Sequence, residues 1–179
     1  MIYCVNMKKI AFLAMLLVGL TTMAQNGIVN IGVIPTPQKV TMGQGSFADN
    51  KAMPSRYYVD AIEGAQNQQQ AYRLEVSAAG ISVWYVSNEG WDYALRTLDQ
   101  LRLIYKGQIP CMTIVDWPAY EYRGWLDDIS RGPIPNKTFR KKTRSFCDFY
   151  KMNFGNYYTE HTLYNDLYPD VSAASGIGL

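Results

Sequence analysis

The sequence contains few of the residues that build disulfide scaffolds and metal centres. Its 179 residues include 3 cysteines and 1 histidine. Three cysteines in a chain of this length are too few for a disulfide-rich scaffold. The lone histidine has no second histidine, cysteine cluster or set of spaced carboxylates to join it in a metal site. We therefore expect a protein that uses neither a metal nor another cofactor.

An excess of charge of one sign is also missing. Lys and Arg total 17 against 15 for Asp and Glu, and removal of the N-terminal segment that contains Lys8 and Lys9 leaves 15 of each sign. Such a chain offers no basic surface to a phosphate backbone, which argues against a nucleic-acid partner. With 48% hydrophobic and 18% charged residues, it is neither a disordered tail nor a collagen-like repeat.

The longest apolar run is too short for a stable membrane span. It covers the eleven uncharged residues Ile10 to Leu20, which follow Lys8 and Lys9 and precede a short segment that ends at Ala24. Eleven helical residues extend about 16 Å, about half of the hydrocarbon core of a bilayer. A positive start, a short apolar stretch and small residues at the end are typical of a secretory signal. We predict that residues 1–24 are a signal peptide and that the mature protein is exported, periplasmic or extracellular, without a membrane span.

Residues 25–115 are predicted to form a small α+β domain, a sheet covered by a helix. Prolines favour extended backbone at the start of an edge strand over residues 33–47. Residues 71–76 alternate between apolar and polar side chains, which is the period of a strand. Residues 81–86 then supply the return strand of a hairpin.

A helix over residues 89–103 is predicted to cover one face of this sheet. Its apolar residues recur at helical spacing, at Trp91, Ala94, Leu95, Leu98 and Leu101. Asn88 is the predicted N-cap, and Lys106-Gly107 is predicted to end the helix. The next extended stretch, residues 109–115, is interpreted as a strand-like linker.

Residues 116–179 are predicted to begin a parallel (β/α)8 barrel, the TIM barrel. A strand over residues 120–130, a helix that starts at Asn136 and a strand over residues 154–162 make one β-α-β unit. Such a unit needs neighbours along both sheet edges. The sequence holds 60 residues from Tyr120 onward, whereas a closed barrel takes about 250. We therefore expect an incomplete barrel and a truncated fragment of a longer protein.

Three sequence blocks resemble the exported β-N-acetylhexosaminidases of glycoside hydrolase family 20. The first is VIPTPQKVTMGQGSF from Val33, and the second is AYRLEVSAAGISVWYVSNEGWDYALRTLDQL from Ala71. The third, DWPAYEYRGWLDDISR from Asp116 to Arg131, resembles the first barrel strand of the family, in which an Arg-Gly pair precedes Asp-x-Ser-Arg. In this order and spacing, the blocks resemble the small domain of the family followed by the start of its catalytic barrel.

The resemblance implies a glycosidase that removes terminal N-acetylhexosamine from glycans. In this family the acetamido oxygen of the substrate acts as the nucleophile and the reaction retains configuration. An Asp orients the acetamido group, and an adjacent Glu protonates the leaving oxygen. That pair follows the fourth barrel strand in the family, and no Asp-Glu dipeptide occurs in this sequence. We therefore expect no catalytic residue in this chain, with the acid pair beyond residue 179, and no activity from the chain alone.

The resemblance also implies candidate residues for sugar binding. Arg131 aligns with the family arginine that binds the ring hydroxyls, for which the five donors of a guanidinium are suited. Glu160 and His161 follow the second barrel strand, on the side where barrel active sites are built, and are predicted to line the sugar pocket. For His161 a structural role stays open. Asp128 is predicted to support the site by fixing the strand end, since Asp127 and Asp128 point to opposite faces and cannot act as a pair.

Two other interpretations stay open. One is a fragment of another exported glycosidase that has a similar N-terminal domain. The other is a non-catalytic exported protein that binds glycans as an accessory, which requires the residues from Tyr120 onward to fold onto the small domain.

The two cysteines of the mature chain could pair after export, but the favoured prediction is two unpaired buried thiols. Cys111 lies in the strand-like linker and Cys147 lies in the predicted helix of the barrel unit.

Overall fold

The computed structural model describes residues 29–128, 130, 137–138, 141, 143–158 and 167–171. The predicted signal peptide, residues 1–24, lies outside the described residues. In chain order, the strands and the α-helix are β1 (Lys39–Ala48), β2 (Ser55–Tyr58), β3 (Tyr72–Ser77), β4 (Gly80–Tyr85), α1 (Asn88–Tyr105), β5 (Gln108–Asp116), β6 (Gly124–Asp128) and β7 (Phe154–Tyr158). Short 3₁₀ turns occupy Gln68–Gln70 and Pro169–Val171, and a π-helical turn occupies Thr143–Cys147.

Five strands form one mixed sheet in the order β1-β5-β3-β4-β2. The predicted hairpin is confirmed, because β3 and β4 pair antiparallel from Tyr72 opposite Tyr85 to Ser77 opposite Gly80. Among the described strands, β1 pairs with β5 alone and is the predicted edge strand, although it begins at Lys39. Along β3, Tyr72 and alternate residues are buried, as the period-two pattern predicts.

Two features of this sheet differ from the sequence-based interpretation. Strand β5 is not a linker, because it lies between β1 and β3 and pairs with both. Strand β2 was not predicted; it pairs parallel with β4 and closes the other edge of the sheet. All of its residues from Ser55 to Tyr58 are exposed, so its segment lacks the alternation that indicates a half-buried strand.

Helix α1 covers one face of the sheet. Its side chains of Leu98 and Leu101 are fully buried against sheet residues that include Leu74 and Ile114. The N-cap is Ser87 rather than the predicted Asn88, because the Ser87 hydroxyl accepts hydrogen bonds from the Glu89 and Gly90 amides, at 3.1 and 3.4 Å. The helix ends as predicted, with Lys106 in the left-handed conformation at φ 49°.

The opposite face of the sheet carries a smaller apolar cluster. Ile62, Ala71 and Trp117 are buried there, and Trp84 packs against them. The loop before β3 is held over this face by Gln68, whose side chain accepts from the Ile62 amide at 2.8 Å and donates to the Ile62 carbonyl at 3.0 Å. The predicted α+β domain is therefore confirmed as a small mixed sheet with one helix, and a loop covers part of its second face.

Strands β6 and β7 form a separate parallel pair. The register runs from Gly124 beside Phe154 to Asp128 beside Tyr158. The two strands are those predicted on either side of a helix, and their parallel order agrees with that prediction. Of the predicted helix, the described residues include helical positions at Lys137, Thr138 and Lys141 and the π-helical turn, while its start at Asn136 lies outside them. The barrel to which this pair is assigned stays a prediction.

The close approach of β6 and β7 requires glycine. A Cβ atom on Gly124 would lie 2.3 Å from the Phe154 carbonyl oxygen. Because that contact is with the backbone of the neighbouring strand, no side-chain movement can relieve it. This contact gives a physical reason for the glycine of the Arg-Gly pair.

Cys111 and Cys147 are both buried and form no disulfide bond with each other. The prediction that both thiols are buried is therefore confirmed. Within the part of the chain that the structure describes, no helix has the length and apolar character needed to cross a membrane.

Candidate functional site

The C-terminal ends of β6 and β7 lie side by side. Asp128, the last residue of β6, is in register with Tyr158, the last residue of β7. Because the strands are parallel, the chain leaves both at the same edge of the pair. Arg131 follows Asp128 by three positions, and Glu160 follows Tyr158 by two. The topology thus brings together the strand ends from which the predicted sugar-binding residues depart.

Asp128 organises the turn that follows β6. Its Oδ1 atom accepts a hydrogen bond from the Ser130 amide at 3.0 Å and another from the Ser130 hydroxyl. Such a turn, in which an Asp side chain bonds the backbone two residues later, fixes the direction of the chain. The side chain of Asp127 is half-buried while that of Asp128 is exposed, as expected for neighbours on opposite faces of a strand. The role of Asp128 in supporting a sugar site stays a prediction.

The other predicted site residues, Arg131, Glu160 and His161, lie outside the described residues. Their roles in binding a sugar stay predictions. Among the described residues, no group of three or more His, Cys, Asp and Glu side chains is arranged to hold a metal ion.

The two faces of the β6–β7 pair differ. On one face, Trp125 and Tyr157 meet edge to face, with ring centroids 5.0 Å apart, and line a cleft together with Cys147 of the π-helical turn. On the other face, which Asp128 shares, Leu126 and Phe154 are 62% and 54% exposed. The helical segment between the strands therefore covers the face opposite Asp128.

A polar cluster joins the strand pair to the small domain, and no pattern in the sequence predicted it. Lys151 and Asp116 form an ion pair with Nζ 2.9 Å from Oδ2, and the two residues are 5% and 8% exposed. Lys151 also donates to the Tyr72 hydroxyl at 3.0 Å, and that hydroxyl donates to Asp116 at 2.8 Å. Thr97 of α1 completes the cluster through a hydrogen bond with the same hydroxyl.

Burial sets the protonation of this cluster. Desolvation lowers the pKa of Lys151, and the charge and hydrogen bond of Asp116 oppose that change. Desolvation raises the pKa of Tyr72 well above its usual value, and the Asp116 charge acts in the same direction. The Tyr72 hydroxyl therefore stays protonated and serves as a donor to Asp116.

A cleft of about 340 Å³ opens beside this cluster. Its lining combines the polar groups of Asp116, Lys151 and Arg123 with apolar surface from Trp117 and Pro118. The available sequence signals were a carboxylate directly after an apolar strand and a lysine between aromatic and apolar residues. Neither signal by itself indicates a buried ion pair, because aspartate and lysine side chains are normally exposed to solvent.

The chain is similar to one family of known proteins, the family 20 glycosyl hydrolases. The family profile described as glycosyl hydrolase family 20, domain 2, matches residues 48–117. A curated β-hexosaminidase from Akkermansia muciniphila is 35% identical over 124 residues, which are 68% of this chain and 24% of that protein. The chain thus spans about a quarter of the length of this relative.

Solved structures share the fold. A crystal structure of a β-N-acetylhexosaminidase superposes with a TM-score of 0.65 at 29% identity, over 78% of this chain and 30% of that one. The β-N-acetylhexosaminidase of Bacteroides fragilis superposes with a TM-score of 0.59 at 21% identity, over 82% and 38% of the respective chains. For the family 20 enzyme of Streptomyces coelicolor, the TM-score is 0.63 at 18% identity, over 78% and 38% of the respective chains. The last two comparisons bear on the fold alone.

Proposed function

This chain is an N-terminal portion of a glycoside hydrolase family 20 protein, and we propose that the protein of which it forms part removes terminal N-acetylhexosamine from glycans. The observation that carries the proposal is the 35% identity with a β-hexosaminidase over 124 residues, a length greater than that of the small domain alone. The substrate class is glycans that end in N-acetylhexosamine.

The proposed reaction is substrate-assisted and retaining. The acetamido oxygen of the sugar attacks the anomeric carbon, an Asp orients the acetamido group, and an adjacent Glu protonates the leaving oxygen. The sequence contains no Asp-Glu dipeptide, so this pair would come from a part of the protein beyond these residues. The present chain would contribute the small domain and the first two strands of the barrel.

The residues of this chain would bind the sugar rather than transfer protons. Arg131 would donate hydrogen bonds to the ring hydroxyls, and Glu160 and His161 would line the same pocket. Asp128 would hold the turn that leads to Arg131. The shared edge at which β6 and β7 end supports this arrangement.

We also propose that the protein is exported, because residues 1–24 have the pattern of a secretory signal. The N-terminal residue of the protein secreted by its own cells, or by a bacterial expression host, should then be Gln25. Mass spectrometry of the purified product measures this directly, and an intact Met1 or Met7 would reject the proposal.

A chromogenic assay tests the enzymatic proposal. The substrate is p-nitrophenyl N-acetyl-β-glucosaminide, with the glucoside that lacks the acetamido group as the control. The longest protein expressed from the gene should cleave only the first, and an Arg131→Ala variant should show a higher KM. The chain of residues 25–179 should cleave neither, and release of the chromophore by that chain would contradict the proposed division of roles.

One observation favours a second function, glycan binding without catalysis. That function requires the residues after the small domain to fold onto it, and the buried contact of Lys151 with Asp116 is such packing. Isothermal titration of residues 25–179 with N-acetylglucosamine oligomers separates the two proposals. Binding by this chain, together with a longest gene product that has no hydrolase activity, would favour the accessory function.

A further inference from the structure

We infer that Arg123 is a positioning residue, through which the small domain holds the starts of β6 and β7 and thereby orients the edge where the proposed sugar-binding residues leave the strands. The effect on sugar binding rests on the proposed function. The role of Arg123 in positioning β6 and β7 does not, because it concerns contacts within this chain.

The side chain of Arg123 bonds three segments at once. Its Nη1 atom donates to the Gln70 Oε1 atom at 2.8 Å and to the Tyr120 carbonyl at 2.7 Å. Its Nε atom donates to the Lys151 carbonyl at 3.1 Å. The guanidinium therefore connects the 3₁₀ turn of the small domain, the residues between β5 and β6, and the segment before β7.

A ring of the small domain supports the guanidinium from one side. The Arg123 Cζ atom lies 5.0 Å from the centroid of Tyr93, a residue of α1 that is 8% exposed. A planar cation over an aromatic face is held both by electrostatic attraction and by its flat contact. The helix that covers the sheet of the small domain thus contributes, through Tyr93, to the orientation of Arg123.

The backbone of the same residue begins the pairing of β6 with β7. The Arg123 amide donates to the Asn153 side chain at 2.8 Å, and its carbonyl accepts from the Asn153 amide at 2.8 Å and the Phe154 amide at 3.1 Å. Asn153 also donates to the Glu121 carbonyl at 2.8 Å. Arg123 therefore joins the strands to each other through its backbone and to the small domain through its side chain.

Lys151 attaches β7 to the small domain in a second place. Its carbonyl accepts the Arg123 hydrogen bond, while its ammonium bonds Asp116 and Tyr72 inside the small domain. Each strand of the pair is thus fastened near its start by a cationic side chain. Because a strand of five residues extends about 16 Å as one unit, a change of direction at the start moves its far end.

The proposed sugar-binding residues follow the C-terminal ends of β6 and β7. Asp128 ends β6 beside Tyr158 at the end of β7, and the chain continues from there to Arg131 and Glu160. A tilt of the pair relative to the small domain would displace these residues from any sugar held by the rest of an active site. Contacts of Arg123 at the start of the strands would therefore affect sugar binding at their C-terminal ends.

Hydrogen exchange measured on the 179-residue chain tests the positioning. The variants are Arg123→Gln, which removes the charge, and Arg123→Lys, which keeps the charge but loses the planar fork. The matched control is Arg73→Gln, because Arg73 also stacks on an aromatic ring, at 4.7 Å from the Trp84 centroid, but lies in the small domain on an exposed site.

Both Arg123 variants should accelerate exchange in residues 124–128 and 154–158 by about tenfold or more, the size expected for losing hydrogen bonds to a charged group. Exchange in α1 should be unchanged, and the control should affect neither region. Strand protection that stays within about twofold of the wild type would overturn the inference. Uniform acceleration across the chain would also overturn it, since Arg123 would then support the fold as a whole. Tyr93→Leu, which removes the ring contact together with the Tyr93 hydroxyl but leaves the hydrogen bonds of Arg123 to Gln70 and Lys151, should give a smaller increase in the same two strands.

Kinetics of the longest protein expressed from the gene test the consequence. A displaced sugar-binding edge should raise KM for the chromogenic substrate by about tenfold in Arg123→Gln and leave kcat nearly unchanged. Loss of folded enzyme would lower the apparent kcat at constant KM, and that result would overturn the inference. If the wild-type protein has no hydrolase activity, the proposed function fails, and hydrogen exchange still decides the positioning role separately.

Discussion

Lys151 and Asp116 lie 35 positions apart in the sequence and meet in an ion pair that is almost wholly buried, with Nζ 2.9 Å from Oδ2. Asp116 ends β5, an inner strand of the sheet of the small domain, while Lys151 precedes β7 of the parallel pair. The pair therefore fastens two structural units that have separate hydrogen-bonded sheets. Its position makes the small domain part of the support for the strands that carry the proposed sugar site.

Replacing Lys151 by Met should destabilise the chain strongly. The change leaves the Asp116 carboxylate buried without its counter-ion, which costs about 3–5 kcal/mol in the free energy of unfolding. Urea denaturation of the chain without residues 1–24 measures the loss. Lys141→Met is the matched control, because Lys141 is exposed and its replacement should change stability by less than about 0.5 kcal/mol. A double variant with Asp116→Asn should recover part of the loss, and equal stability of the single variant and the wild type would refute the role assigned to the pair.

Asp49 should contribute stability that depends on pH at the acid end. Its carboxylate accepts hydrogen bonds from Arg102 at 2.8 and 3.2 Å, and these lower its pKa below the usual 3.8. A group whose pKa is lower in the folded chain adds stability above the unfolded value, and loses it as the pH falls through the folded value. Asp49→Asn should therefore lower stability by about 1–3 kcal/mol at neutral pH, and the difference from the wild type should shrink below pH 3.8.

The exposed Asp99 provides the control for this measurement. Its carboxylate lies 3.8 Å from the same Arg102 guanidinium, and its side chain is 44% exposed. Asp99→Asn should change the free energy of unfolding by less than about 1 kcal/mol at any pH. Thermal unfolding of both variants between neutral and acid pH gives the comparison, and a constant gap between Asp49→Asn and the wild type would contradict the proposed titration.

Two leucines of α1 should respond very differently to truncation. Leu98 is fully buried in the core, whereas Leu103 on the same helix is 66% exposed. Leu98→Ala should lower the free energy of unfolding by about 2–5 kcal/mol, through lost burial and the cavity left behind. Leu103→Ala should change it by less than about 0.5 kcal/mol. Urea titrations followed by tryptophan fluorescence measure both. Similar losses of stability in the two variants would show that α1 does not pack on the sheet through the face that contains Leu98.

The start of α1 provides a test between two neighbouring residues. The Ser87 hydroxyl accepts the hydrogen bonds of the first helical amides, while the Asn88 side chain accepts one from Arg56 at 3.1 Å on the surface. Ser87→Ala should lower stability by about 1 kcal/mol, as expected for the loss of an N-cap. Asn88→Ala should cost about half of that or less. A larger loss of stability in Asn88→Ala than in Ser87→Ala would show that Asn88 is the N-cap.

Patterns in contiguous segments predicted the hairpin and the helix well. Tyr72, Leu74 and Val76 alternate with polar residues, so the period of a strand is visible without knowledge of its partners. Prediction failed where partners decide the structure. The segment of β2 has no buried residue, and its existence depends on pairing with β4, some thirty positions away. The segment of β5 looked like a linker because its partners β1 and β3 are both distant along the chain.

Some features of the candidate site could likewise be predicted from one segment, while others depend on distant residues. Motif resemblance identified the strand that leads to Arg131, because an Arg-Gly pair followed by Asp-x-Ser-Arg is a local feature. The strand-helix-strand pattern predicted its parallel partner. Nothing local indicated that Arg123 would lie over the Tyr93 ring, since the two residues belong to different elements and are far apart in the sequence.

The hairpin, the covering helix and the two parallel strands could be predicted from the sequence, because backbone hydrogen bonding and side-chain burial impose a period that can be recognised within one segment. The burial of Lys151 with Asp116 and the bonds of Arg123 to three segments could be seen only in the folded chain. A charged side chain leaves water only where groups from several distant segments together replace its hydration, and such a set of groups exists only after the chain has folded.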